Sequence, residues 1–132
     1  MLVNMDNTSN PLEALQNSAF QFYLTGSRFF GRTRPDSDYD FFCEDAEDIE
    51  EYLKSQGFRS TQVRETNYFG TEGIVKIYRN GIVDVHLVSN APLKQKVQTI
   101  LKEQNMLQGN KATQKQIWTF AMKLAEALKK QS

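Results

Sequence analysis

The sequence predicts an α+β fold, a mixed α/β arrangement in which a small, largely antiparallel sheet is flanked by helices and followed by C-terminal helices. Three observations predict it. Short apolar runs of strand length, rich in aromatic and β-branched residues, occur at 20–25, 38–43 and 82–88. Apolar residues recur at helical spacing over 44–56, 91–101 and 113–128. The pair Asn80-Gly81 separates two strand-like stretches, and Asn-Gly in that setting is a strong hairpin signal.

Asn10-Pro11-Leu12-Glu13 supplies an N-cap, a proline at N1 and a glutamate at N3, so a first helix runs to about Asn17 or Ser18. The nine residues before it read as frayed. Phe20–Thr25 is a buried strand that Gly26 ends in a turn, and Arg28–Ser37, with Gly31, Pro35 and three arginines, is a helical turn followed by a loop. Asp38–Cys43 is the second strand. Glu44–Gln56 puts Ile49, Tyr52 and Leu53 on one side of a helix with an acidic outer face, and Gly57 stops it.

Antiparallel strands follow at Phe58–Glu65, Asn67–Tyr78 and Ile82–Val88, with Arg79-Asn80-Gly81 as the last turn. Asn90 caps a helix that begins near Ala91-Pro92 and turns Leu93, Val97, Ile100 and Leu101 inward. Gly109-Asn110 breaks it before a last helix from about Thr113. There Ile117, Phe120, Ala121, Leu124 and Leu128 form an apolar stripe beside Trp118 and Met122. A stripe of that kind is ordinarily core, with a partner-binding face as the alternative.

A chain of 132 residues, 39% of them hydrophobic, is long enough for one domain, 1–132, with 91–132 as its helical C-terminal part. No apolar run approaches the roughly 20 residues that span a bilayer, and no leader pattern opens the chain, so neither a membrane partner nor export is expected. Cys43 is the single cysteine, which excludes an internal disulfide and makes a reducing cytoplasm the expected location. The net charge of zero conceals an uneven layout. Nine of the sixteen acidic residues lie within 36–51, whereas 93–132 holds eight lysines against Glu103 and Glu126. Glu44 to Glu51 read as the solvated start of a helix.

Asp38 and Asp40 are different. On a strand they point the same way, with Tyr39 and Phe41 on the opposite, buried face. Two carboxylates side by side repel unless a cation joins them, which points to Mg²⁺ or Mn²⁺. The same alternation puts Asp84 and His86 on one face of the later strand, so Asp84 meets the pair if the two strands are neighbours. Three converging carboxylates can hold two ions about 3.5 to 4 Å apart, an arrangement suited to in-line displacement at a nucleotide phosphate. Gly26 permits a positive φ and close backbone approach, Ser27 offers a hydroxyl and an amide to phosphate oxygens, and Arg28, Arg32 and Arg34 can add bidentate contacts.

The string Gly26-Ser-Arg-Phe-Phe-Gly-Arg-Thr-Arg-Pro-Asp-Ser-Asp-Tyr-Asp40, with Asp84 on a later strand, resembles the nucleotidyltransferase superfamily that includes DNA polymerase beta. Within it the string looks most like the small stand-alone minimal nucleotidyltransferases. The order of elements is similar over about 14–88, while the specific motif is confined to 26–40; Phe29-Phe30 stands where relatives often carry small or basic residues. The resemblance implies a single nucleotidyltransferase-like domain that moves a nucleoside monophosphate, AMP from ATP, onto a hydroxyl with two Mg²⁺ ions. It implies Asp38, Asp40 and Asp84 as catalytic and metal-binding residues, Gly26 and Ser27 as the triphosphate contacts that Arg28 and Arg34 supplement by their nearness in sequence, and Asp84 as the group that orients or deprotonates the acceptor. It also implies a protein acceptor, such as a tyrosine of a partner toxin, with RNA 3′ ends or an aminoglycoside-like molecule as other acceptors.

A catalytically silent regulator or antitoxin that binds a nucleotide or a protein is the reading from another class; a two-metal nuclease would use the same acids but has no need of Gly26-Ser27. His86 is either a phosphate or acceptor contact or a hydrogen-bonded structural residue. Cys43 reads as a core side chain, Tyr68 and Phe69 as base-stacking or packing residues, and Lys76 and Arg79 as strand surface charges. No basic, aromatic-rich face indicates nucleic acid as a required ligand.

Overall fold

The computed structural model describes residues 10–31, 35–65, 74–106 and 110–131. Arg32, Arg34, Tyr68, Phe69, Gly109 and the N-terminal nine residues lie outside that set. The elements are α1 (Pro11–Gln16), β1 (Tyr23–Thr25), α2 (Gly26–Phe30), β2 (Tyr39–Glu44), α3 (Ile49–Ser55), β3 (Arg59–Glu65), β4 (Ile74–Asn80), β5 (Val83–Val88), α4 (Ala91–Glu103) and α5 (Lys111–Gln131). They form a mixed α+β structure as expected. The chain divides into two compact units, one of Met1–Val63 with Lys76–Ser89 and one of Arg64–Val75 with Asn90–Ser132.

Five strands form one sheet in the order β1-β2-β5-β4-β3. β1 pairs antiparallel with β2, β2 parallel with β5, and β5 antiparallel with β4. The register puts Tyr39, Phe41, Cys43, Val83, Val85 and Leu87 on one face, where α1 and α3 add Leu15, Ile49 and Leu53 to the core. Ile49, Leu53, Val83 and Val85 are fully buried. Tyr52 of α3 donates its hydroxyl to the Ala14 carbonyl at 2.6 Å, tying the two helices together. Burial pushes the Cys43 thiol up to about 12, as suits a core side chain.

Local chemistry explains where the elements begin. Asn10 accepts the Leu12 and Glu13 amides, so α1 starts where its N-cap predicts. β1 begins at Tyr23, not Phe20, and is only three residues long; it ends where expected, at Thr25, because Gly26, at φ +69°, turns the chain directly into α2. β2 runs from Tyr39 to Glu44, so Asp38, expected in the strand, precedes it; α3 starts at Ile49, after Asp48 in a left-handed conformation. Asn90 also adopts that conformation and makes no side-chain cap, in contrast to the expectation. At α5 the capping residue is Asn110, whose Oδ1 accepts the Thr113 amide at 2.9 Å.

Two expectations about packing are corrected. The hairpin turn is Gly81-Ile82, not Arg79-Asn80-Gly81: Asn80 stays in β4, anchored by its amide donating to the Gln56 carbonyl at 3.1 Å. The apolar stripe of α5 is not core. Phe120, Leu124 and Leu128 are 71%, 50% and 57% exposed, and the buried side of the helix is Trp118 and Met122, one turn apart. Ile100 of α4 is likewise exposed. Amphipathic periodicity locates an apolar face without saying what covers it.

Glu50 is not a merely solvated acid. Its carboxylate accepts Lys76 Nζ at 2.8 Å and the Tyr78 hydroxyl at 2.6 Å, and Asp45 lies 3.6 Å from the same ammonium. These bonds hold Glu50 below the usual carboxylate range, Lys76 being the chief cause, while burial and Glu50 push the Tyr78 phenol up to about 12. A depressed carboxylate stabilises the fold above its unfolded pKa and loses that contribution as pH falls through its folded one. Glu50→Gln should therefore cost no more than about 1 kcal/mol at neutral pH. In denaturant titrations the difference from wild type should shrink steadily below about pH 4, the ordinary glutamate range.

Candidate active site

One register row crosses four strands. Thr25 of β1 stands opposite Asp40 of β2, Asp40 opposite Asp84 of β5, and Asp84 opposite Arg79 of β4. Opposed residues share a face, and neighbouring strands lie about 4.8 Å apart, so Asp40 and Asp84 leave the sheet side by side on the face away from Cys43 and Leu87. The next row along is Tyr23, Phe42, His86 and Ile77, in which Phe42 is fully buried and Ile77 nearly so. Acids and an arginine therefore sit beside an apolar row.

Like charges so placed must be balanced: two carboxylates about 5 Å apart repel by on the order of 3 kcal/mol at an effective dielectric constant of about 20. Arg79 supplies the balance. Its Nη1 donates to both Asp84 oxygens at 2.8 Å, and Asp38 Oδ2 lies 3.4 Å from Nη2 and 3.5 Å from Nη1. One guanidinium thus joins Asp38 to Asp84 across two strands. The hydrogen bond to Asp84 is the main cause that raises the Arg79 pKa still further. Asp84 is the more enclosed partner, its side chain 19% exposed against 46% for Asp38.

The turn beside the row is fitted to Asp40. A Cβ on Gly26 would lie 2.6 Å from Asp40 Oδ2, so the carboxylate rests where any other residue would put a side chain. Gly26 also has φ +69°, in the region that favours glycine. Ser27 follows in the first turn of α2, and its carbonyl accepts the Gly31 amide that closes this five-residue helix. Arg28 turns to the loop before β2: its guanidinium donates to the Ser37 carbonyl at 2.7 and 3.2 Å and to Pro35 at 3.5 Å, with Cζ 3.8 Å above the Tyr39 ring. That places Asp38 and Asp40 by holding the strand's approach. Arg34 lies outside the described residues.

Asp38, Asp40 and Asp84 are hence brought to one place, with Gly26 and Ser27 beside Asp40, and His86 shares their face one row away between Phe42 and Ile77. Among the described residues no three His, Cys, Asp or Glu side chains already form a group able to hold a metal ion; Asp84 gives both oxygens to Arg79 instead. Arg79 is the residue the sequence reading missed, and it is not an ordinary surface charge. A turn centred on Asn80-Gly81 would set Ile77 opposite Asp84, whereas the turn at Gly81-Ile82 sets Arg79 there. The five-residue interval from Arg79 to Asp84 across a glycine was the available signal.

No family model, curated protein or solved structure matches the chain. No helix among the described residues is long and apolar enough to cross a membrane.

Gly26→Ala should lower stability by about 1–2 kcal/mol from backbone strain, with a further loss from displacing the Asp40 carboxylate, measured by chemical unfolding. A double-mutant cycle of Arg79→Met with Asp84→Asn should show coupling of about 1 kcal/mol or more. The double variant is then more stable than the sum of the single effects allows.

Proposed function

We propose that this chain is a divalent-cation-dependent nucleotidyltransferase that moves a nucleoside monophosphate, AMP from ATP, onto an acceptor hydroxyl. The observation that carries the reading is the register that sets Asp40 against Asp84 while one guanidinium ties Asp84 to Asp38, beside the glycine on which Asp40 rests. The resemblance of residues 26–40 to the minimal nucleotidyltransferases supports it independently of the tertiary structure.

The donor set suits a hard divalent cation, because carboxylate oxygen is the preferred ligand of Mg²⁺ and Mn²⁺. The three acids also carry an excess negative charge that the fold already meets with a cation. Asp38, Asp40 and Asp84 would hold the ions, which when bound supply Lewis-acid polarisation of the phosphate and a more acidic acceptor hydroxyl. For the acids to serve, Arg79 must release Asp84, and a guanidinium so freed beside the carboxylates is suited to a phosphate oxygen by its paired donors.

In this reading Gly26 lets the triphosphate approach the backbone and Ser27 donates its hydroxyl to a phosphate oxygen. Asp84, more enclosed than Asp38, orients the acceptor hydroxyl and accepts its proton as the oxygen attacks the α-phosphorus and pyrophosphate departs. Arg28 acts at one remove, by keeping the loop that leads into Asp38. The acceptor that the resemblance favours is a protein hydroxyl, such as a tyrosine of a partner toxin.

One observation favours a second reading, a catalytically silent regulator of the same fold: Arg79 donates to both Asp84 oxygens and reaches Asp38, so a cation of the chain itself already engages two of the three acids. The two separate in one experiment. With α-labelled ATP, Mn²⁺ or Mg²⁺ and a panel of protein and RNA acceptors, the enzyme transfers label, and Asp38→Ala or Asp84→Asn reduces transfer at least about a hundredfold. Binding of ATP that is unaffected by either substitution, with no transfer to any acceptor, establishes the silent module and overturns the enzyme.

A further inference from the structure

Within the helical unit, α4 and α5 leave an open apolar groove between them, lined by Ile100, Leu101 and Met106 on one side and Phe120, Leu124 and Leu128 on the other. Five of these six are large hydrophobic side chains exposed among the described residues, Leu101 alone being buried. Exposed leucines scattered singly mean nothing, but a contiguous apolar groove rimmed by polar residues marks a docking surface. The positions on α5 recur at 120, 124 and 128, so the groove runs along the helix.

Beside Phe120 its edge on α5 carries lysines. Phe120 borders a second hollow, lined also by Lys115, Gln116, Thr119 and Lys123, so the apolar groove passes directly into a lysine-bearing edge. Lys129 and Lys130 follow Leu128 at the far end, and Glu126 is the only acidic residue of α5. An occupant seated on Phe120 meets hydrocarbon on one side and ammonium groups on the other. A second copy would set lysines against lysines. A flat lipid surface would rest on the lysines but not fill a groove, which instead receives a ridge of side chains at i, i+3, i+4 and i+7.

We propose that this groove binds an amphipathic helix of another protein whose apolar stripe is flanked by aspartates or glutamates. The stripe of the bound helix fills the space along Phe120, Leu124 and Leu128, and its acids pair with Lys115 and Lys123. The proposal uses only the helical unit and does not depend on the reading of the carboxylate site.

The test uses the full chain and two synthetic helical peptides with one leucine stripe, flanked by glutamates in one and by lysines in the other. By fluorescence anisotropy the acidic peptide should bind at least about tenfold tighter than the basic one. Leu124→Glu should abolish binding, and the double variant Lys115→Glu with Lys123→Glu should invert the preference; circular dichroism confirms that each variant keeps its helices. The proposal is overturned if neither peptide binds, if the charge reversals leave the preference as it was, or if sedimentation shows a dimer that Leu124→Glu dissolves. Tighter association with phosphatidylglycerol vesicles than with the acidic peptide also overturns it.

Discussion

The parallel pairing of β2 with β5 is the constraint on which the rest depends. It sets Asp40 directly opposite Asp84 and, with β5 between β2 and β4, leaves Asp38, just before β2, within reach of Arg79 near the end of β4. Two acids forced into neighbouring positions create a local charge that must be met by a cation from the protein or from solution. The fold meets it with Arg79, whose place follows from a two-residue turn between β4 and β5. A one-residue shift of that turn would bring Ile77 into the row and leave the acids unbalanced, since register decides which side chains oppose one another.

The opposite face of the sheet makes that arrangement stable. Cys43, Val83, Val85 and Leu87 pack against Leu15, Ile49 and Leu53, and the alternation that buries these residues necessarily presents Asp40, Asp84 and His86 on the other face. A single slip of β5 would put its acid into the apolar layer. Burial of the valines and placement of the acid are therefore one event, since Val83 and Val85 on either side of Asp84 are both fully buried.

Much of this was legible in the residues because it rests on local rules. The cap at Asn10, the left-handed glycine at 26 and the two-residue alternation through Tyr39-Asp40-Phe41 and around Asp84 each follow from neighbours within a few positions. What escaped was non-local or a matter of one residue. Arg79 depends on the turn register; Glu50 depends on Lys76 and Tyr78, 26 and 28 residues away. The stripe at Phe120, Leu124 and Leu128 was visible as a pattern, but whether it is covered is decided by what packs on it, and Trp118 and Met122 take the buried side.

The linear chain by itself determined the class of fold, the strand that carries Asp40, the glycine that the neighbouring turn requires, and the charge division between an acidic middle and a lysine-bearing C-terminal part. Those properties come from backbone periodicity and composition, which are set within a few residues of each position. Only tertiary structure decided that Asp84 stands against Asp40, that Arg79 is the cation between Asp84 and Asp38, and that the apolar side of the last helix faces outward. Strand order, register and burial are contacts between distant segments, and no local preference contains them.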